Sequence, residues 1–270
     1  MIVFPNAKIN IGLDIIEKRP DGFHAISTIF YPVKIYDALE ILRHDGEGLQ
    51  FGISGNESLS ATEDNLCVKA CRLLETRYGL PVVNMHLHKN IPTGAGLGGG
   101  SADAAFTLRL LNDLAGLKLD AEELEICARQ LGSDCAFFIR NKPVYAFERG
   151  DEFRPLELDL SGYYLVVIMP DYPVSTAQAY AHVTPRMPDH PLEELCKKPV
   201  ETWKSTVKND FEPWLFKEYP AIASIKAALY DQGAVYASVS GSGAAVYGIF
   251  RQAVRLPAIE QTCRVFYDVG

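Results

Sequence analysis

The stretch Ile91-Pro92-Thr93-Gly94-Ala95-Gly96-Leu97-Gly98-Gly99-Gly100-Ser101-Ala102-Asp103 constrains this chain more than any other. Five of the seven residues from 94 to 100 are glycine. A hydrophobic core has no use for such a run, and the unfolded chain loses more backbone entropy in ordering it. Upstream, Val83, Met85 and Leu87 alternate with polar residues, the pattern of a half-buried strand. Downstream, Ala104, Ala105, Leu108, Leu111 and Leu114 recur at helical spacing, and Ser101 and Asp103 read as starters of that helix. The pattern is strand, glycine-rich loop, helix N-terminus. A loop so placed can turn its amides toward an anion, and the helix dipole favours negative charge there. It reads as a phosphate cradle.

Two familiar phosphate loops fit poorly. Gly94, Gly96 and Gly99 satisfy G-x-G-x-x-G, but that fingerprint puts its first glycine directly after the strand, and here residues 89–93 intervene. The acid expected about twenty residues on would be Asp120, which instead opens a helix over 121–131. A nicotinamide-dependent oxidoreductase is therefore the weaker alternative. No lysine follows any of these glycines, which removes G-x-x-x-x-G-K-[ST].

A chain of 270 residues suffices for one large domain or two small ones. Its net charge of −8 argues against a nucleic-acid binder, which needs a basic surface. No apolar run approaches a membrane span and no secretory signal is visible, so a cytoplasmic protein is expected. The six cysteines form no C-x-x-C pair, and reduced thiols are expected. His86 and His88 share one strand face without a third metal ligand in view, and read as a solvated face.

Taken in order, Ile9, Ile11, Leu13 and Ile15 alternate with Lys8, Asn10, Gly12 and Asp14, which predicts a strand with one core face and one wet face. Pro20-Asp21-Gly22 signals a turn, followed by Phe23 and His24. Strands are predicted over 37–42 and 49–54, then a helix from Asn65 to Tyr78 stopped by Gly79. Asp134 is predicted to cap a short buried helix. Composition shifts near 150–162, which places a domain boundary between 1–158 and 159–270. The second part reads strand 163–169, helices, strand 234–239, strand 245–250, helix 256–263 and strand 265–268, an order that is ferredoxin-like. Ser240-Gly241-Ser242-Gly243 joins its two central strands as a hairpin.

These motifs resemble, over nearly the whole chain and in the right order, those of the galactokinase, homoserine kinase, mevalonate kinase and phosphomevalonate kinase superfamily, the GHMP kinases. The loop resembles that superfamily's Pro-x-x-x-Gly-Leu-Gly. Asp21-Gly22-Phe23-His24, the extra loop glycine and Asn209-Asp210-Phe211-Glu212-Pro213 are most similar to the branch that acts on a cytidine-bearing acceptor. The resemblance implies an α+β fold: an N-terminal ATP-binding domain like domain 2 of ribosomal protein S5, and a ferredoxin-like C-terminal domain. It implies ATP with Mg²⁺ as phosphate donor, and transfer to the 2-hydroxyl of a diphosphocytidyl methylerythritol in non-mevalonate isoprenoid synthesis. Small molecules are the implied partners, with no nucleic acid or membrane, and the protein is expected as a monomer or homodimer.

Residue by residue, the resemblance assigns Lys8 and Asp134 to catalysis. It assigns Pro92, Thr93, Gly94, Ala95, Gly96, Leu97, Gly98, Gly99, Gly100, Ser101 and Ala102, with Asn65 and Lys89, to ATP. Ser101 could also face Mg²⁺. Asn10, Phe23, His24, Thr176, Tyr180, Ser240 and Gly241 are assigned to the acceptor, with Phe23 and Tyr180 on the two sides of its cytosine. Two positions depart from the pattern. Phe23 stands where tyrosine is usual, and Ala102 where a second serine is frequent. Two further readings remain at this stage: a superfamily kinase with another acceptor, and an RNA-binding module, since the N-terminal fold also occurs in a ribosomal protein.

Overall fold

The computed structural model describes residues 1–55 and 62–270. The chain divides into two compact units, and neither is a continuous segment. One comprises Met1–Ala7, Ile35–Pro92 and Gly98–Lys142; the other comprises Lys8–Lys34, Thr93–Leu97 and Pro143–Gly270. These units are cut differently from the continuous halves 1–158 and 159–270 expected from the sequence. The local shift in composition there carries no information about which early strands pack with the late ones.

In the first unit, the strands Ile2–Val3, Ala38–Arg43, Val83–His88 and Gln50–Ser54 form a sheet in that order. Val83–His88 runs antiparallel to Ala38–Arg43 and parallel to Gln50–Ser54. Its alternation is realised: Val83, Met85 and Leu87 are buried while Asn84, His86 and His88 are exposed. His86 and His88 both bond the Ser54 hydroxyl, at 2.9 and 3.0 Å. The helix Leu66–Tyr78 begins where Asn65 Oδ1 accepts from the Cys67 amide at 2.9 Å and ends at Gly79, whose φ is +67°. Cys67, Val68, Cys71 and Leu74 form its buried face, and it packs on the long helix Gly99–Ala115 that follows the glycine loop. Asp120 and Glu123 form a capping box for Ala121–Arg129. Burial pushes the Cys71 thiol up to about 11 and Cys135 up to about 12, so both are packing groups. All six cysteines are free.

In the second unit, the long strands Asn6–Lys18 and His24–Tyr36 pair and are extended by Val144–Phe147 and Glu152–Pro155. A second sheet has the order Tyr236–Val239, Val246–Phe250, Tyr164–Pro170, Cys263–Tyr267, antiparallel throughout. Numbered along the chain, its strands lie 2-3-1-4, the ferredoxin-like arrangement. Val166, Ile168, Leu215, Leu229 and Val246 pack with Leu13, Ile15 and Ile26 in one core.

Several local expectations are corrected. The face of the first strand carrying Lys8 and Asn10 is not wet, for both residues are almost fully buried. The loop helix begins at Gly99 behind Gly98, which is left-handed (φ +69°), so Ser101 and Asp103 lie inside it and cap nothing. Asp134 lies in a turn; the short helix is Phe137–Arg140 and Ala136 occupies its cap position. The last helix is only Pro257–Glu260, because Cys263 is drawn into pairing with Pro170. A helical pattern of a few residues is too short to compete with strand pairing.

Candidate active site

Three successive carbonyls of the glycine loop are held by named donors. Ala245 N–H donates to the Ala95 oxygen at 3.2 Å, Ser240 Oγ to Gly96 at 2.8 Å, and Lys8 N–H to Leu97 at 2.9 Å. In a planar trans peptide the next N–H points opposite to the carbonyl. The amides of Gly96, Leu97 and Gly98 therefore point away from those donors. Ala95 and Leu97 are buried anchors, while Gly94 and Gly96 take φ of +71° and +77° between them. At Gly96 only glycine fits, since a Cβ there would fall onto the Ser240 carbonyl oxygen and lie 2.8 Å from its carbon. The first bond within the loop helix runs from Ala102 N–H to the Gly98 oxygen at 2.9 Å. The amides of Gly99, Gly100 and Ser101 precede it, and a helix offers such amides no internal acceptor. Backbone donors and the dipole of a 17-residue helix suit a phosphate group.

The reason Lys8 and Asn10 can be buried is a hydrogen-bonded network. Lys8 Nζ donates to Asn10 Oδ1 at 2.6 Å and lies 4.4 Å from the centre of the Phe30 ring. Asn10 Nδ2 donates to Thr28 Oγ1 at 3.0 Å, and the Thr28 hydroxyl donates in turn to the Gly12 carbonyl at 2.6 Å. Asn10 N–H donates to Ser240 Oγ at 3.1 Å, so Ser240 connects this strand to the glycine loop. Gly241 backs the same loop, for a Cβ built on it would lie 3.3 Å from Gly96 Cα. The side chain of Asn209 fixes the hairpin, donating to the Val239 and Gly241 carbonyls at 3.0 and 2.8 Å. The task of Asn209 is not legible in its own segment, since a contact 32 residues away leaves no local pattern.

After the turn, which Arg19 N–H closes on the Phe23 carbonyl at 2.8 Å, Phe23 is 54% exposed. Arg149, which sequence reasoning missed, lies 5.3 Å from its centre. His24 stacks on Tyr180 with centroids 4.9 Å apart, and Phe211 meets the Tyr180 ring edge-on at 4.9 Å. One face of Tyr180 is taken by His24, which burial and the Lys18 charge hold below its usual pKa range. Thr176 Oγ1 bonds Ser242 Oγ at 2.9 Å and ties the helix Thr176–His182 to the hairpin.

Among the nucleotide positions, the Ser101 hydroxyl bonds Cys135, the residue after Asp134. Asn65 uses its side-chain oxygen as a helix cap. Lys89 is tied into the protein itself. It is buried, and its ammonium is committed to Asp37 and, at 2.7 Å, to Asp103. Burial pushes Asp103 up to about 7 against the pull of Lys89. Among the described residues no group of three or more His, Cys, Asp or Glu could hold a metal ion.

Residues 65–142 match the GHMP kinases N terminal domain, and residues 192–268 match GHMP kinases C terminal. The chain is 50% identical over 272 residues to a 4-diphosphocytidyl-2-C-methyl-D-erythritol kinase of Bacteroides thetaiotaomicron, covering 100% of this chain and 99% of that one. The crystal structure of a 4-(cytidine 5'-diphospho)-2C-methyl-D-erythritol kinase superposes with a TM-score of 0.84 at 30% identity, covering 100% and 98% of the two chains. The mevalonate kinase of Methanococcus jannaschii shares the fold alone, with a TM-score of 0.70 at 12% identity and coverage of 99% and 97%. The chain belongs to the GHMP kinases and, within them, to the 4-diphosphocytidyl-2-C-methyl-D-erythritol kinase family.

Proposed function

We propose that this kinase moves the γ-phosphoryl of ATP to the 2-hydroxyl of 4-diphosphocytidyl-2-C-methyl-D-erythritol, a step of isoprenoid precursor synthesis. The observation that carries the phosphoryl transfer is the loop whose carbonyls are tied back, turning the Gly96, Leu97 and Gly98 amides outward ahead of a long helix. The acceptor rests on the full-length similarity to relatives named for it.

Phosphoryl transfer asks for positioning and charge stabilisation more than for covalent help. The loop amides and those of Gly99, Gly100 and Ser101 would bind the β- and γ-phosphates. The fit to Mg²⁺ is that of an ion carried in with the nucleotide, since the described residues form no acidic cage; the Ser101 hydroxyl in the first helical turn would face it. When bound, Mg²⁺ neutralises phosphate charge. Asp134 would hold the acceptor hydroxyl and take or orient its proton. Lys8, aimed by Asn10, would offset negative charge as it builds. Phe23, exposed after its turn, would stack on the cytosine beside the Arg149 cation, with His24 reading the base edge.

The test is a coupled assay of ATP consumption with a panel of acceptors: diphosphocytidyl methylerythritol, homoserine and mevalonate. Turnover with the first alone, inhibited by CDP in competition with the acceptor, is expected. Turnover with either of the others in its place, without CDP inhibition, would move the chain to another branch of the superfamily.

A further inference from the structure

The buried charges at the flanks of the loop are not explained by the chemistry above. Lys89 follows directly on the strand Val83–His88, and Asp103 lies within the first two turns of the loop helix. Between them the ammonium of Lys89 donates to both Asp37 and Asp103. The other oxygen of Asp37 accepts the Asn90 and Ile91 amides at 2.6 and 2.8 Å. One carboxylate thus grips the chain before the loop, the other grips it after, and one lysine joins them. Gly99 is what lets the lysine come so near the helix start: a Cβ on it would lie 3.3 Å from Lys89 Nζ and 2.8 Å from Ile91 Cγ2.

As a device for stability alone this cluster is poorly composed. Two buried acids share one ammonium, so ionising both would leave a net −1 and set the two carboxylates against each other. Asp103 Oδ1 has no hydrogen-bond partner although it is buried. An unmatched buried charge and an unsatisfied oxygen both favour unfolding. Removing the Asp103 carboxylate would leave a neutral Lys89–Asp37 pair, which a stability role alone would welcome.

We propose that Asp103 is a positioning residue for the nucleotide: through Lys89 and Asp37 it fixes the first turns of the loop helix to the end of the strand, and so aims the Gly99, Gly100 and Ser101 amides. This deepens the reading of the loop as the phosphate site of ATP and rests on it. The two can fail separately, because the readout is nucleotide affinity without any acceptor.

The experiment measures ATP and ADP dissociation constants by calorimetry, and thermal unfolding, for the full chain and for Asp103→Ala and Asp103→Asn. Asparagine keeps an oxygen that can accept from Lys89, while alanine does not. Asp103→Ala is expected to weaken nucleotide binding by about tenfold or more, with a melting temperature equal to or above that of the parent. Asp103→Asn is expected to bind within about threefold of the parent. The proposal is overturned if Asp103→Ala binds nucleotide within twofold of the parent, if it loses affinity only together with thermal stability, or if the folded Asp103→Asn protein binds as weakly as the alanine variant. A parent protein that binds no ATP would instead overturn the phosphate reading itself, and one that binds ATP but uses another acceptor would leave the positioning role standing.

Discussion

Gly94 and Gly96 are two residues apart, share a left-handed backbone, and should respond very differently to one added methyl group. Their φ values are +71° and +77°. An L-residue in that region is disfavoured by about 1–2 kcal/mol, so Gly94→Ala and Gly96→Ala share this term. At Gly94 nothing lies within 4 Å of the new Cβ. At Gly96 the Cβ would overlap the Ser240 carbonyl and also sit 3.4 Å from the Gly243 oxygen. That carbonyl cannot readily retreat, because Ser240 N–H is bonded to the Ala245 oxygen at 2.9 Å and Asn209 holds the carbonyls on either side. Forcing a methyl into packed structure adds about 1–3 kcal/mol. Gly96→Ala is therefore expected to lose about 2–5 kcal/mol and Gly94→Ala about 1–2 kcal/mol. At roughly 2–4 °C per kcal/mol for a chain of this size, the two melting temperatures should differ by several degrees. On the proposed role of the Gly96 amide as a phosphate donor, Gly96→Ala should weaken ATP binding by tenfold or more, while Gly94→Ala changes it less. Calorimetric melting and ATP titration of both variants measure this. Equal melting temperatures and equal ATP affinities would refute the packing of the loop against the hairpin as the reason for Gly96.

Phe23→Ala should raise the acceptor KM by roughly 5- to 150-fold, since a stacked base is worth about 1–3 kcal/mol, and should leave the ATP KM near that of the parent; an unchanged acceptor KM would remove Phe23 from the site. Asp134→Ala should lower kcat by roughly 10² or more with little change in ATP affinity, the range for a positioned proton acceptor; a kcat within a few-fold of the parent would exclude that role. Asp14 titrates at about 6 in the fold, raised first by burial and then by the Asp210 charge, against the pull of Ser27 and Arg186. Below about pH 4 the carboxyl is neutral whether the chain is folded or not, and between about 4 and 6 the folded state holds the extra proton, so this contribution to stability is lost as pH rises through 6. Asp14→Asn should flatten that slope and gain up to about 3 kcal/mol at pH 7–8, read by urea unfolding across pH; an unchanged slope would count against a buried Asp14 charge.

Some of this molecule is written in short stretches of sequence, and some only in the meeting of distant ones. The strand–loop–helix unit was legible because each part is a local pattern: alternation in 83–87, glycines that tolerate positive φ, and helical spacing after 100. Asn65 and Gly79 bound their helix for the same reason, since a cap is settled within a few residues. The alternation of Ile9, Ile11, Leu13 and Ile15 gave the strand and its core face. It could not say that the opposite face would be covered as well, because burial of Lys8 and Asn10 depends on Thr28, Ser240 and Tyr247 supplying partners. Asp103 looked like a helix starter and proved to be one of two acids around Lys89, a pairing that needs Asp37 from another strand. The stacking of Tyr180 on His24 and its edge-on contact with Phe211 likewise join segments far apart in the chain. Local propensity and periodicity are properties of a few neighbouring residues; the pairing of charges, the burial of a second strand face and the stacking of rings are fixed only when segments far apart in the chain come into contact.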